Sequence, residues 1–305
     1  ADNTKSLDKD GTTLLRSGVG GVLYLCLTRP DLVGDLCILQ TKVCCGTIQD
    51  LRTLNSIISR AHSYSHYGLI YEKLPHPHVI RGYADASYAT SKTSYAVEAN
   101  MVFLMTDHKF LAMTPEKTAV HKEQVASANM DGPCHLLVHT GKLAKRASHN
   151  TSHAESLSQY GVVTHAEMVA LRLTELRYPQ PRSVPLAVMI SIEERGLFDL
   201  PTDIVTDCRD LWELETGQKG VPQDRTQRLI IMSLRERRAQ GRIRNTIWTD
   251  TRDMIANSLT KHVTFDAQLD RLLVSGCLKH GYASLRRKSV VMTEITEGDL
   301  LRLQD

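Results

Sequence analysis

Three acidic residues, each at one end of a predicted strand or helix, constrain the fold of this chain most strongly. Asp85 and Asp207 each end an apolar run that is typical of a buried strand, and Glu155 opens a long helical pattern. A single acid is normally a solvated surface charge, but these three would lie near the ends of one sheet. Converging carboxylates repel one another unless cations lie between them. The pattern therefore predicts either a costly cluster or a site for Mg²⁺, which prefers oxygen ligands.

The three acids stand in short blocks whose order along the chain is informative. In chain order the blocks are Gly82-Tyr83-Ala84-Asp85-Ala86-Ser87, Ser152-His153-Ala154-Glu155, Val205-Thr206-Asp207-Cys208 and Ala256-Asn257-Ser258-Leu259-Thr260-Lys261. They resemble the ribonuclease H domain of copia-type LTR retrotransposon polyproteins, which ends in an Ala-Asp-x-Leu-Thr-Lys block. Residues 15–25, 28–32 and 66–71 also resemble the segment that follows the polymerase palm in that family. The similarity spans residues 12–265, and the shared order gives weight to motifs that are individually short.

The resemblance implies an α/β fold of the ribonuclease H-like kind, with a mixed five-stranded sheet flanked by helices. It also implies an endonuclease that hydrolyses the RNA strand of RNA/DNA hybrids with two Mg²⁺ ions, for which Mn²⁺ is a substitute. The matching catalytic positions are Asp85, Glu155, Asp207 and Asn257, of which the three acids would bind the metal. Glu167, in the middle of the predicted helix that Glu155 opens, is the alternative to Glu155.

Two departures from the family pattern bear on activity. Asn257 stands where the family has Asp, so the fourth position offers an amide oxygen but no charge to offset a second dication. We therefore expect weaker metal binding, unless Asp250 or Asp253 compensates. Residues 224–229 also lack the His that the family commonly has there, so water or another group would have to transfer the proton.

Basic residues are unevenly distributed along a chain whose net charge of +3 by itself predicts no nucleic-acid partner. Between positions 225 and 244 there are seven arginines and a single acid, Glu236. These arginines form either a solvated helix face or a strip that contacts phosphates, because guanidinium groups fit phosphate oxygens. The predicted nucleic-acid contacts are Lys142, Lys145, Arg146, Arg225, Arg228, Arg235 and Arg238.

The order of apolar patterns predicts two domains and a tail. Residues 1–77 would form a small helical region similar to the connection and thumb of a polymerase. Residues 78–264 would form the ribonuclease H-like domain, with an insertion at about 106–133, and residues 265–305 a C-terminal tail. Helices are predicted at 11–27, 31–43, 47–61, 151–176 and 252–262. Strands are predicted at 68–74, 78–89, 95–105, 135–139, 203–207 and 243–249.

Composition argues against several other classes of protein. The seven cysteines include no Cys-x-x-Cys pair, so free thiols in a reducing compartment are expected rather than disulfides. The 13 histidines show none of the regular spacings of a zinc site. No apolar run is long enough to span a bilayer, and no Tyr-x-Asp-Asp motif of a polymerase is present. We expect a soluble intracellular protein of the cytoplasm, a virus-like particle or the nucleus, without a membrane partner, that works beside the polymerase domain of its parent polyprotein.

Three functional hypotheses follow from these residues. The first is a ribonuclease that cuts the RNA strand of hybrids. The second is a decayed or repurposed domain that binds nucleic acid without cutting, which Asn257 and the missing His favour. The third is an architectural segment of the polyprotein that needs no metal. Hybrid cleavage and hybrid binding, measured together, distinguish the three.

Overall fold

A single mixed sheet organises the part of the chain that the computed structural model describes, which is residues 2–87, 96–107, 130–144, 148, 150–177, 184–261 and 266–280. Within these residues the six strands are β1 (His78–Ser87), β2 (Val97–Thr106), β3 (Gly132–Leu143), β4 (Thr202–Thr206), β5 (Asn245–Trp248) and β6 (Cys277–Leu278). The strand order is β5-β4-β1-β2-β3-β6. Strands β1, β2 and β3 are antiparallel, whereas β4 and β5 run parallel to β1. The predicted α/β architecture, a mixed sheet flanked by helices, is confirmed, and the short β6 adds a sixth strand to the predicted five.

Helices precede the sheet and cover both of its faces. The α-helices are α1 (Lys9–Leu25), α2 (Val33–Gln40), α3 (Ile48–Ser63), α4 (Thr151–Arg177), α5 (Leu186–Arg195), α6 (Arg209–Thr216), α7 (Arg225–Ala239), α8 (Asn257–Thr260) and α9 (Ala267–Ser275). Short 3-10 turns span Pro30–Leu32 and Thr251–Asp253. Capping residues define several starts: the Thr47 and Asp50 side chains form a capping box for α3, and Asn150 Oδ1 accepts from His153 N at the start of α4. The cap of α4 is therefore Asn150 and not the predicted Thr151 or Ser152.

The side chains of β1 alternate between two apolar cores, as the two-residue period of a strand requires. Val79 and Tyr83 face one core, which α1, α2, α3 and α9 complete. Ile80 and Ala84 face the other core, which is completed mainly by α4 and α7. The helices of residues 1–77 therefore pack directly on one face of the sheet and share its core.

The short helix α8 lies in close backbone contact with α2 and β3. A Cβ atom added at Gly34 would lie 2.7 Å from the carbonyl oxygen of Ser258, and one added at Gly141 would lie 3.1 Å from that of Leu259. Both distances are shorter than ordinary van der Waals contact, and at Gly34 any larger residue would force the two backbones apart. The N-terminal helical region consequently supports the turn that contains Asn257.

Two predicted elements are wrong. Residues 68–74 form no strand. Gly68 N donates to Leu273 O at 3.3 Å and Tyr71 Oη donates to Leu136 O at 2.8 Å, so isolated hydrogen bonds take the place of the regular backbone pairing of a strand. The predicted helix 252–262 is broken, because Asp250 Oδ1 accepts from Arg252 N at 3.0 Å and closes a 3-10 turn. The extended backbone of Met254 then separates this turn from α8.

Parts of several predicted segments lie outside the described residues. These parts are 108–129 of the predicted insertion, 265 and 281–305 of the predicted tail, 88–89 and 95 of two predicted strands and 262 of a predicted helix, together with Lys145 and Arg146. The ends of the predicted insertion belong to strands, since β2 continues to Thr106 and β3 begins at Gly132. Within the described ranges, no helix combines the length and apolar character needed to cross a bilayer.

Candidate active site

Three carboxylates meet at one edge of the sheet. Tyr83 of β1 pairs with Val205 of the parallel strand β4, so Asp85 and Asp207 each lie two residues beyond the same register point. The second turn of α4 brings Glu155 to this edge. One carboxylate oxygen from each of Asp85, Glu155 and Asp207 lies within 4.8 Å of the other two. The convergence that the sequence predicted for these three residues is present in the structure.

Burial and mutual repulsion favour the neutral forms of these acids. Burial raises the pKa of Asp85, and burial together with the charge of Asp85 raises the pKa of Asp207. Glu155 is affected most: burial, followed by the charges of Asp85 and Asp207, raises its pKa to about 9. A cation between the carboxylates would reverse this balance by stabilising their ionised forms.

The ligand set fits a hard divalent cation. All three side chains offer oxygen atoms, and two of them, Asp85 and Glu155, are only 2% and 6% exposed. Among the described residues, Glu155 Oε2 is buried without any hydrogen-bond partner. A buried polar atom that has no partner is costly, and coordination of a metal would satisfy it. This oxygen is independent support for a cation site at the cluster.

The block that contains Asn257 lies beside Asp85. Thr260 Oγ1 donates a hydrogen bond to Asp85 Oδ2, and Lys261 Nζ lies 3.9 Å from the same oxygen. Asn257 Oδ1 accepts a hydrogen bond from Lys261 Nζ, and Asn257 Nδ2 donates to Thr251 O at 2.7 Å. Both ends of the Asn257 amide are thus engaged by neighbouring residues of the chain.

Neither predicted substitute for the fourth acid joins the carboxylate cluster. Asp250 pairs with Arg252 at 3.0 Å, and Asp253 is fully buried with its Oδ1 at 3.4 Å from Gln268 Nε2. Glu167, the alternative to Glu155, forms ion pairs with Arg237 at 3.1 Å and Arg242 at 3.8 Å. The structure therefore brings Glu155, and not Glu167, to Asp85 and Asp207.

Sequence reasoning missed the roles of Thr260 and Lys261. Both residues stand in the last block of the family resemblance, so the signal was present in the chain. Spacing alone could not show that the turn of α8 directs them to Asp85, because that depends on how α8 packs on α2 and β3.

The predicted nucleic-acid contacts occupy different environments. Arg225 and Arg228 are exposed at the start of α7. Arg235 instead donates to Leu214 O at 2.8 Å and to Lys219 O at 2.7 Å. These hydrogen bonds link α7 to the end of α6 and to the loop that follows it. Arg238 is half-buried, and Lys142 lies 3.5 Å from Glu98. Only part of the arginine-rich strip is therefore open to a phosphate backbone.

Several solved structures are similar to this chain. No protein-family model matches the chain, and no curated protein matches it. The N-terminal ribonuclease H domain of a Mycobacterium tuberculosis protein, solved as a fusion with maltose-binding protein, is 12% identical over 60% of this chain and 94% of that one, with a TM-score of 0.30. A ribonuclease H of the halophilic archaeon Halobacterium salinarum is 13% identical over 59% of this chain and 89% of that one, with a TM-score of 0.29.

The third structure is the protease-reverse transcriptase of prototype foamy virus. It is 12% identical over 69% of this chain and 22% of its own length, with a TM-score of 0.27. All three TM-scores are low, so we infer function from the geometry of the carboxylate cluster.

Proposed function

We propose that this chain is a ribonuclease H-like endonuclease from a copia-type retrotransposon polyprotein, and that it hydrolyses the RNA strand of RNA/DNA hybrids. The observation that carries the proposal is the convergence of Asp85, Glu155 and Asp207 around the buried, unpaired Glu155 Oε2. A structural protein gains nothing from this arrangement, since three neighbouring acids destabilise the fold unless a cation joins them.

The carboxylates would hold Mg²⁺, or Mn²⁺ in its place. Two such ions are implied by the family resemblance. Bound divalent ions activate water and stabilise the leaving oxygen in phosphodiester hydrolysis. Thr260 orients Asp85 through its hydrogen bond to Oδ2. This neutral donor fixes the carboxylate without neutralising the charge that the metal requires.

Contacts to the hybrid would come from basic residues around this edge and along α7. Arg225 and Arg228 are exposed, and the Lys142 side chain is 49% exposed, so these three are the strongest candidates; Lys145, Arg146, Arg235 and Arg238 complete the proposed set. Such contacts bind the phosphate backbone without reading the bases, and their strength falls with salt. The polymerase domain of the parent polyprotein is the proposed protein partner.

Cleavage of a labelled RNA/DNA hybrid in Mg²⁺ or Mn²⁺ tests the proposal. We expect cleavage of the RNA strand by the native chain and none by Asp85→Asn or Glu155→Gln. Glu175→Gln is a matched control, because Glu175 lies on the same helix as Glu155 but pairs with the exposed Arg172 at 2.8 Å and is not one of the three clustered carboxylates. Equal cleavage by native chain and Glu155→Gln would refute the proposal.

A second function, hybrid binding without cleavage, is favoured by one observation. The Asn257 amide is engaged by Lys261 and Thr251, and the residue contributes no negative charge. For this alternative we expect hybrid binding by the native chain without products, and cleavage that appears in Asn257→Asp. A chain that neither binds nor cuts would leave the architectural hypothesis.

A further inference from the structure

Lys261 is the one lysine among the described residues whose ammonium group lies within 4.0 Å of a carboxylate of the cluster. Its Nζ is 3.9 Å from Asp85 Oδ2 and donates to Asn257 Oδ1, and its side chain is 45% exposed. Although burial raises the pKa of Asp85, Glu155 and Asp207, the charge of Lys261 acts in the opposite direction on all three. Lys261 therefore interacts electrostatically with the whole cluster.

We propose that Lys261 takes one of the two cation positions of this site, so that the native chain binds a single divalent ion beside the ammonium group. This inference rests on the proposed function, because it concerns the metal that the nuclease site would hold. It assigns to Lys261 a positioning and charge-balancing role toward the Asp85 side of the cluster.

The charges around the site balance with one divalent ion. The three ionised carboxylates carry three negative charges, which one dication and the Lys261 ammonium group neutralise together. A second dication would leave an excess of positive charge near Lys261, and the repulsion would be strong in this partly buried environment. With Asp in place of Asn257, a fourth negative charge would offset much of that excess.

Hydrogen bonds to neighbouring residues hold the ammonium group of Lys261 in place. Asn257 Oδ1 accepts from its ammonium group, and Asn257 is itself held by the hydrogen bond to Thr251 O at 2.7 Å. Helix α8 also packs closely on α2, because a Cβ added at Gly34 would lie only 2.7 Å from the carbonyl oxygen of Ser258. These contacts hold the ammonium group next to Asp85.

The test is a titration of the full chain with Mn²⁺, followed by calorimetry and by the electron paramagnetic resonance signal of free Mn²⁺. We expect one bound ion for the native chain. For Asn257→Asp combined with Lys261→Gln, which supplies the fourth charge and removes the ammonium group, we expect two. Two ions of comparable affinity on the native chain would overturn the inference.

The single variant Lys261→Gln separates a functional ammonium group from an incidental one. Removal of a neighbouring positive charge should tighten binding of the first Mn²⁺ by about tenfold. If the ammonium group replaces a second ion, cleavage at saturating Mn²⁺ should fall in the same variant. Lys219→Gln is the control, since Lys219 also contacts two acids, Asp210 and Glu213, and is similarly exposed at 49%, but lies outside the cluster. Unchanged affinity in Lys261→Gln would count against the inference.

The outcomes separate this inference from the proposed nuclease function. If the native chain cleaves hybrids and binds two Mn²⁺ ions, the proposed nuclease function is supported and the proposed role of Lys261 is refuted. A native chain that binds one Mn²⁺, and gains a second in the double variant, supports the role of Lys261 even where no hybrid is cut. Absence of any Mn²⁺ binding would overturn both.

Discussion

Asp203 lies in strand β4 and Asp207 directly follows that strand, yet the two acids have opposite electrostatic surroundings. Asp203 is fully buried and is bonded to Arg244 at 2.6 Å and to Asn245 at 3.0 Å, with Arg81 at 3.7 Å. Asp207 instead lies against two further acids, Asp85 and Glu155. Two arginines accompany the first acid, whereas other carboxylates surround the second.

The difference distinguishes a structural acid from an acid in the proposed functional site. When arginines of the chain itself balance the charge of a buried carboxylate, no external cation is needed. Loss of that carboxylate then leaves buried positive charge uncompensated. A cluster of acids that lacks enough cations of its own is unstable until an external ion joins it, which is the usual compromise between stability and function. We therefore expect neutral substitutions of Asp203 and of Asp207 to change the stability of the fold in opposite directions.

The largest effect is expected for Asp203→Asn. It removes the negative charge that lies 3.7 Å from the fully buried Arg81 and 2.6 Å from Arg244, and breaking a buried pair costs about 3–5 kcal/mol of the free energy of unfolding. Denaturant unfolding measures this loss. Asp199→Asn is the control, because Asp199 is 46% exposed and pairs with the exposed Arg177. A loss no larger than that of the control would contradict the structural role of Asp203.

The next effect concerns the support of the site rather than its charge. Gly34→Ala places a Cβ 2.7 Å from Ser258 O, so α8 must shift, and we expect a loss of about 1–3 kcal/mol together with weaker Mn²⁺ binding. Gly21→Ala is the matched control: Gly21 is also helical, but a Cβ there meets nothing within 4 Å. The control should be stabilised by about 0.5–1 kcal/mol, as expected for Gly to Ala in a helix. Equal melting temperatures for both variants would show that the contact of α2 with α8 is not needed.

The pH dependence of stability sharpens the contrast between the two acids. The pKa of Glu155 is raised from 4.5 to about 9 in the folded state, so its protonated form contributes stability that is complete below about 4.5 and is lost as the pH rises through about 9. Without divalent ions we expect the free energy of unfolding to fall across this window, by at most about 1.4 kcal/mol per pH unit for one proton. Glu155→Gln should flatten the decline.

Saturating Mg²⁺ should flatten the same decline in the native chain, because metal-bound carboxylates are already ionised in the folded state. Chemical denaturation at several pH values, with and without Mg²⁺, measures both effects. A native chain whose stability rises between pH 5 and pH 9 in the absence of divalent ions would contradict the arrangement of the cluster.

The smallest effect is expected for Thr260→Val. Valine keeps the shape of the side chain but removes the hydrogen bond to Asp85 Oδ2, at a cost of about 1 kcal/mol. Thr164→Val is the control, since the Thr164 hydroxyl is exposed and donates only to Tyr160 O of its own helix. Thermal unfolding compares the two variants. The proposed role of Thr260 requires the larger loss to occur at that position.

The presence of the strands that carry or precede Asp85 and Asp207, and the three acids themselves, could be predicted from sequence because local patterns determine them. An apolar run that stops at an acid predicts a strand end, and parallel strands then bring Asp85 and Asp207 to one edge. The break of the predicted helix 252–262 depends on the Asp250 side chain, which competes with the helix for the Arg252 amide. The partners of Arg235 depend on where α6 ends in space, so periodicity could not distinguish this arginine from the exposed Arg225. Contacts between distant segments are invisible to local patterns.

The chain also has an optical reporter next to the carboxylate cluster. Trp248 Nε1 donates to the backbone oxygen of Asp207 at 3.1 Å, and the guanidinium group of Arg209 lies 5.7 Å from the centre of its ring. The chain contains two tryptophans, and the other, Trp212, is buried with its indole nitrogen bonded to Thr246 O. In a Trp212→Phe background, the fluorescence of Trp248 would therefore follow the arrival of a paramagnetic ion at Asp207 by quenching, without any added label.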